Sequence, residues 1–209
     1  PHASYVGRVP AIEEVRFSIT DHRGCFGNCS YCALTYHQGR AVSARSKESV
    51  VKEAELLTKL PDFKGYIHDV GGPTANFRAP SCDRQKGKGV CKDRQCIGYK
   101  PCPLLKVSHD DYLDILREIR ALPKVKKVFI RSGIRFDYLM MDKNPAFFEE
   151  LCAHHVSGQL TVAPEHCCEH VLKIINKPSF GFYEAIKPRF DEYKVRHRLT
   201  QYREPYLNH

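Results

Sequence analysis

At 209 residues, with 42% hydrophobic and 27% charged residues and 13 each of glycine and proline, the chain has the size and composition of one globular domain, two small ones at most, which excludes collagen, low-complexity disorder and coiled coil. A net charge of +9 suits a nucleic acid or another polyanion as partner without specifying any chemistry. No apolar run approaches the roughly 18 residues that span a bilayer, and the Pro1-His2-Ala3-Ser4 start has no charged region followed by a hydrophobic one, so a soluble chain with no membrane partner is expected.

Val15, Phe17 and Ile19 alternate with Arg16 and Ser18, which predicts a strand ending at Thr20 with a cysteine loop at its carboxyl end. Ser46 caps a predicted helix whose apolar positions Val50, Ala54, Leu57 and Leu60 recur at close to 3.6 residues, and Pro61 stops it. Tyr66 to Val70 reads as a short buried strand broken by Gly71-Gly72-Pro73. Residues 71–107 form a cysteine-rich insertion: from Thr74 to about Val107 there are four cysteines, many Lys and Arg, several Gly and Pro, and no sustained hydrophobic period.

Ser108, with Asp111 three residues later, opens a predicted helix carrying Tyr112, Ile115, Leu116 and Ile119, and Val128 to Ile130 supplies the next strand. Asn144-Pro145 reads as a cap and a first-turn proline for a helix running to about His155. Leu160 to Ala163 gives a fourth strand, and Val171, Leu172 and Ile175 lie on another helix. A last helix carries Phe182, Ala185, Ile186, Phe190 and Tyr193, with Pro188 expected to kink or split it. Strands alternating with such helices imply an α/β class of right-handed parallel crossover units, with sites at the carboxyl ends of the strands. Without the insertion, the core of 1–197 is too short for eight units of about 30 residues, so a partial barrel is expected. Gln201-Tyr202-Arg203-Glu204-Pro205 is too polar for a central parallel strand, and 198–209 is expected as a disordered tail.

The ten cysteines fall in three groups: Cys25, Cys29 and Cys32; then Cys82, Cys91, Cys96 and Cys102; then Cys152, Cys167 and Cys168. Clustered thiols without a signal peptide point to metal in a reducing compartment, the cytoplasm. Cys25-Phe26-Gly27-Asn28-Cys29-Ser30-Tyr31-Cys32 puts three thiols within eight residues. A 4Fe-4S cluster that only carries electrons takes four thiolates, so three leave one iron open to a substrate or cofactor. A zinc site with a distant fourth ligand is the alternative, but zinc usually shows paired C-x2-C or C-x4-C spacing.

C-x3-C-x2-C with an aromatic before the third cysteine, in a loop after the first strand, resembles the signature of the radical SAM superfamily. The phrases His22-Arg23-Gly24-Cys25-Phe26-Gly27, His37-Gln38-Gly39-Arg40, Asp69-Val70-Gly71-Gly72-Pro73-Thr74-Ala75-Asn76 and Val162-Ala163-Pro164-Glu165-His166 look like the YgiQ family of that superfamily, over residues 5 to 197. Members of that family are longer on both sides, which agrees with the missing initiator methionine and implies an excised catalytic region. The resemblance implies a partial (β/α)6-type, TIM-like barrel. It also implies a 4Fe-4S cluster on Cys25, Cys29 and Cys32, and S-adenosylmethionine held at the open iron and cleaved to a 5′-deoxyadenosyl radical. Tyr31 would lie against the adenine, and Gly71 and Gly72 would let the backbone meet the methionine amino group; the glutamate that often follows such glycines is absent. The electron would come from a reductant such as flavodoxin or ferredoxin.

Arg131 and Ser132 after the third strand, and Glu165 and His166 after the fourth, sit where such barrels carry cofactor and substrate groups. Arg131 suits the SAM carboxylate as a bidentate partner and Glu165 a ribose hydroxyl, with a structural ion pair as the alternative for either. Arg40 and Arg45 are weaker candidates. Cys82, Cys91, Cys96 and Cys102, separated by eight, four and five residues, are candidates for a second metal site, zinc or another iron-sulfur cluster, which would supply folding energy to a segment with little to bury. Lys86, Lys88, Lys92, Arg94 and Lys100 make the same segment basic, so it could touch nucleic acid. Cys152, Cys167 and Cys168 are read as packing thiols on helices, and His154 and His155 as unassigned surface or helix-end residues. The rival reading is a basic zinc-binding or nucleic-acid-binding module without catalysis.

Overall fold

Short strands and helices alternate along the computed structural model, which describes residues 4–7, 9–197 and 202–207. Helix α1 (Pro10–Val15) leads into β1 (Ser18–Thr20), β2 (His22–Arg23), α2 (Leu34–Gln38), β3 (Ser43–Ala44) and α3 (Lys47–Thr58). Then come β4 (Tyr66–Ile67), β5 (Asp69–Gly71), α4 (Asp83–Lys88), α5 (Asp110–Ala121), β6 (Lys127–Val128), α6 (Phe136–Met141) and α7 (Ala146–Glu150), which continues as a π-helical turn over Leu151–His155. The chain ends with β7 (Gln159–Glu165), α8 (Glu169–Ile174), α9 (Phe180–His197) and β8 (Tyr202–Leu207).

Residues 66–71 form one extended run interrupted only at His68. Its β5 half pairs parallel with β1, Thr20 opposite Gly71, and its β4 half pairs parallel with β6, Ile67 opposite Val128. The β1–β5 and β4–β6 pairs thus flank a single central run, and the loops after β1, β5 and β6 leave in one direction. β7 and β8 pair parallel and β2 and β3 antiparallel, and no sheet among the described residues closes. The expected helix caps are partly present: the Ser46 hydroxyl accepts from the Ser49 amide and the Asn144 side chain accepts from the Ala146 amide at 3.0 Å. Ser108 bonds Asp110 rather than Asp111, because Asp111 is taken by the Arg78 guanidinium at 2.6 Å.

The main core joins Ile19, Ile67, Val70 and Val128 on the strands to Val50 and Ala54 of α3 and to Ile115, Leu116 and Ile119 of α5. Each of the Val, Leu and Ile side chains, fully buried, contributes roughly 1.5–3 kcal/mol. A second, smaller cluster lies under the cysteine loop: Cys25, Phe26, Phe77, Ile97 and Tyr138. Phe26 and Phe77 stack with centroids 3.8 Å apart, and Tyr138 meets both edge-on.

Four expectations need correction. Val15 closes α1 instead of opening the first strand, since Pro10 starts a helix whose first turn carries Glu13. Helix α9 is not split at Pro188, and Ile186 and Phe190 on either side of it are fully buried. The insertion does have something to bury, because Phe77 and Ile97 are completely covered. β8 forms within the expected tail, although 198–201 and 208–209 lie outside the described residues. Among the described residues β8 pairs with β7 alone, with a register irregularity between Val162 and Glu165. An edge position of this kind tolerates Pro205 and polar residues that a central strand would reject.

Candidate functional site

The site is built at the carboxyl ends of β1, β5, β6 and β7. Gly24 turns the chain out of β2 with φ +87°, and a Cβ there would stand 2.0 Å from the Ala41 carbonyl oxygen, so only glycine fits. The Cys25 amide donates to the Gly39 carbonyl at 3.0 Å, and the Cys32 amide to the Cys29 carbonyl. The far side of this turn is fastened to the segment after α8. The Ser30 amide and hydroxyl donate to the carbonyls of Ile175 and Ile174, and the Asn176 amide group donates to the carbonyls of Gly27 and Asn28.

Arg135, 6% exposed, lies against the thiols. Its Nη1 donates to Cys29 Sγ at 3.5 Å, while Nε and Nη2 form a fork onto the buried Asp137 at 2.6 and 3.2 Å. Burial works against the charge, yet Asp137, Cys29 and Cys25 together hold this guanidinium's pKa above the ordinary arginine value. The Arg135 amide and carbonyl are both bonded to the Asn76 side chain, which also meets His109. Cys25 Sγ lies 3.5 Å from Thr74 Oγ1.

Tyr31 and Glu165, 134 residues apart, are joined directly: the phenol donates to Glu165 Oε1 at 2.6 Å. Lys177 Nζ is 3.3 Å from the same oxygen and donates to the Ala163 carbonyl. Burial, the bond to Glu165 and nearby Cys29 all push the Tyr31 pKa up, so it stays a protonated donor.

Gly71 and Gly72 are places of close packing. A Cβ on Gly71 would stand 3.0 Å from Ser132 Oγ, and one on Gly72 would stand 2.6 Å from His22 Nε2. Ser132 is held by Asp69, which also accepts from the Arg131 amide. The Arg131 side chain is exposed and pairs with Glu14 at 3.3 Å. Arg45 binds the Thr20 carbonyl and Glu53, and the His166 ring accepts from the Cys168 amide. The structure thus connects Cys29 to Arg135 and Tyr31 to Glu165, while Arg131 pairs with Glu14 at the surface. Cys152 is buried, its thiol pushed up to about 12 by burial, whereas Cys167 and Cys168 are exposed rather than packed. His155 stands at a helix end, as one of its two readings has it, and is buried there.

Arg135, Asn176 and Lys177 are not among the residues that stand out in the sequence, and Asn76 does so only as the end of the phrase that begins at Asp69. Nothing in their spacing marks them, although Arg135 with Asp137 two residues on is a charge pair in an otherwise apolar stretch.

Among the described residues no three His, Cys, Asp or Glu side chains are already gathered as a metal-holding group. The fit to a metal cluster rests on donor chemistry: three soft thiols from one turn, with a buried cation beside two of them. At Gly27 a Cβ would stand 3.0 Å from Arg135 Nη1 and 3.3 Å from Cys25 Sγ, so no side chain occupies the gap between them. This donor set suits iron-sulfur ligation. An open cleft of about 680 Å³ adjoins the turn, lined by Asn28, Arg40, Lys92, Arg94, Lys100 and Cys102.

Over 201 residues, 96% of its length, the chain is 57% identical to a UPF0313 protein of Clostridium botulinum (strain Okra / Type B1). The chain is similar to UPF0313 proteins. Another UPF0313 protein of that species, strain ATCC 19397 / Type A, is also 57% identical over 201 residues, and one of Clostridium perfringens (strain SM101 / Type A) is 54% identical over 203. The chain spans about a third of the length of these UPF0313 relatives, 31%, 31% and 30% respectively. No family model matches the chain. No helix among the described residues is long and apolar enough to cross a membrane.

Proposed function

We propose that the chain is the iron-sulfur domain of a radical SAM enzyme, a partial (β/α)6-type barrel working in the reducing cytoplasm. The observation that carries this reading is the linkage of four strand ends: the thiol turn after β1 meets Thr74 after β5, Arg135 after β6 and Glu165 at the end of β7. Cys25, Cys29 and Cys32 would hold a 4Fe-4S cluster whose open iron binds S-adenosylmethionine and, on one-electron reduction by a flavodoxin or ferredoxin, yields a 5′-deoxyadenosyl radical.

The chain's own groups have separable tasks. Arg135 offsets the negative charge of the thiolates from within a buried fork. Tyr31 and Glu165 form a wall whose exposed ring face and carboxylate suit an adenosine. Gly71, which closes the parallel partner of β1, and Gly72 beyond it offer backbone without side chains. Arg131 suits a SAM carboxylate only after leaving Glu14, and Arg135 and Lys177 only after leaving Asp137 and Glu165. Anaerobic incubation of the reconstituted chain with SAM and dithionite is expected to release 5′-deoxyadenosine and methionine, and Cys29→Ser to abolish that release. Equal release from the variant would overturn the assignment. The competing reading, a basic binding module without catalysis, draws on the Arg40, Lys92, Arg94 and Lys100 cleft; a colourless chain indifferent to SAM would favour it.

A further inference from the structure

The four cysteines of the insertion line a single cavity of about 350 Å³, together with Arg84, Lys92, Asp93 and Arg94. Their backbones are held individually. The Cys82 carbonyl accepts from the Gln85 amide, the Cys96 carbonyl accepts from the Cys102 amide at 2.9 Å, and the Cys91 carbonyl accepts from Arg40 at 2.7 Å. The Ser81 hydroxyl donates to Cys96 Sγ at 3.2 Å, the kind of outer contact that orients a ligating sulfur. Between 71 and 107 the only helix is the six-residue α4, so little regular hydrogen bonding holds the segment.

We propose that Cys82, Cys91, Cys96 and Cys102 form a second, closed site that takes one zinc ion and ties the insertion to the turn carrying Cys25. Closure would draw the four side chains together within the cavity that they line. Four thiolates around one divalent ion leave two negative charges, which Arg84, Lys92 and Arg94 offset at the cavity wall. Four thiolates complete a closed tetrahedral shell around a redox-inert zinc ion and leave no open position. The tie to the first turn is physical. Ile97, next to Cys96, packs with Cys25, Phe26 and Phe77. Arg40, which holds Cys91, adjoins Gly39, whose carbonyl receives the Cys25 amide. The proposal does not depend on the first turn holding a cluster.

The test uses the full chain carrying Cys25→Ser, Cys29→Ser and Cys32→Ser, reduced and titrated with Co²⁺ and then Zn²⁺. The expected result is one Co²⁺ per chain, with thiolate charge-transfer and tetrahedral d–d bands, displaced by one Zn²⁺ and lost when Cys82→Ser and Cys102→Ser are added. No such spectrum, or one that survives those two substitutions, would overturn the site. Should the triple variant fail to fold, zinc content of the parent chain decides: adding only Cys82→Ser and Cys102→Ser should remove one zinc per chain, and unchanged zinc overturns the proposal. Iron and sulfide held by these four thiols and not displaced by Zn²⁺ would overturn the single-ion assignment.

Discussion

The turn from Gly24 to Cys32 is fastened to remote parts of the chain, to Gly39, Arg135 and the 174–176 segment, whereas the cysteines of the insertion are fastened mostly to one another's neighbours. Both groups nevertheless rest on one aromatic cluster, with Cys25 in it and Cys96 packed against it. The difference teaches what each region asks of a metal. Under the proposed assignments, a metal at the turn, which the fold already positions, would serve chemistry, and one in the insertion, which has a single short helix, would serve shape.

The largest expected effect comes from removing the shared support. Phe77→Ala empties a fully buried ring position and should cost about 3–5 kcal/mol, with hydrogen-exchange protection lost in both cysteine regions. Loss confined to one of them would break the idea of common support. Arg135→Met should cost about 3–5 kcal/mol by leaving the buried Asp137 without its cation, and Asp137→Leu added to it should restore part of that; urea midpoints read both.

Acid addresses the strand layer apart from either cysteine group. His155 donates from Nδ1 to the Val128 carbonyl of β6 at 2.8 Å, and burial pushes its pKa from 6.5 down to about 4. The folded ring therefore stays neutral while the unfolded chain takes up a proton. The stabilisation is complete above pH 6.5 and is lost as pH falls towards 4, by up to about 3 kcal/mol. His155→Phe should flatten that slope; an unchanged slope would assign it elsewhere. Asn176→Gly removes the donor to the Gly27 and Asn28 carbonyls and should cost about 1–3 kcal/mol, with exchange quickening in the first turn and not in the insertion. Smallest is Arg40→Met, about 1 kcal/mol, where the lost bond to Cys91 should loosen the insertion first.

Local chemistry made much of this legible in the sequence: the Ser46 cap, the α5 periodicity, the close spacing of three thiols and the glycines after β5 all work through neighbours in the chain. Contacts across the chain did not announce themselves. Glu165 stands out in the sequence for its place after a strand, but its bond to Tyr31 depends on how β1 and β7 converge. Arg131 stood closest to its strand end, yet Arg135 reaches the thiols, because α6 begins there and carries the guanidinium inward with Asp137. β8 was hidden by its polarity, which only an edge position explains.

The central claim is tested most directly by anaerobic reconstitution with iron and sulfide, followed by electron paramagnetic resonance of the reduced chain with and without SAM. The account predicts a reduced 4Fe-4S signal that shifts when SAM is added and is absent in Cys29→Ser. A signal insensitive to SAM, or none in a chain that keeps only zinc, would contradict it.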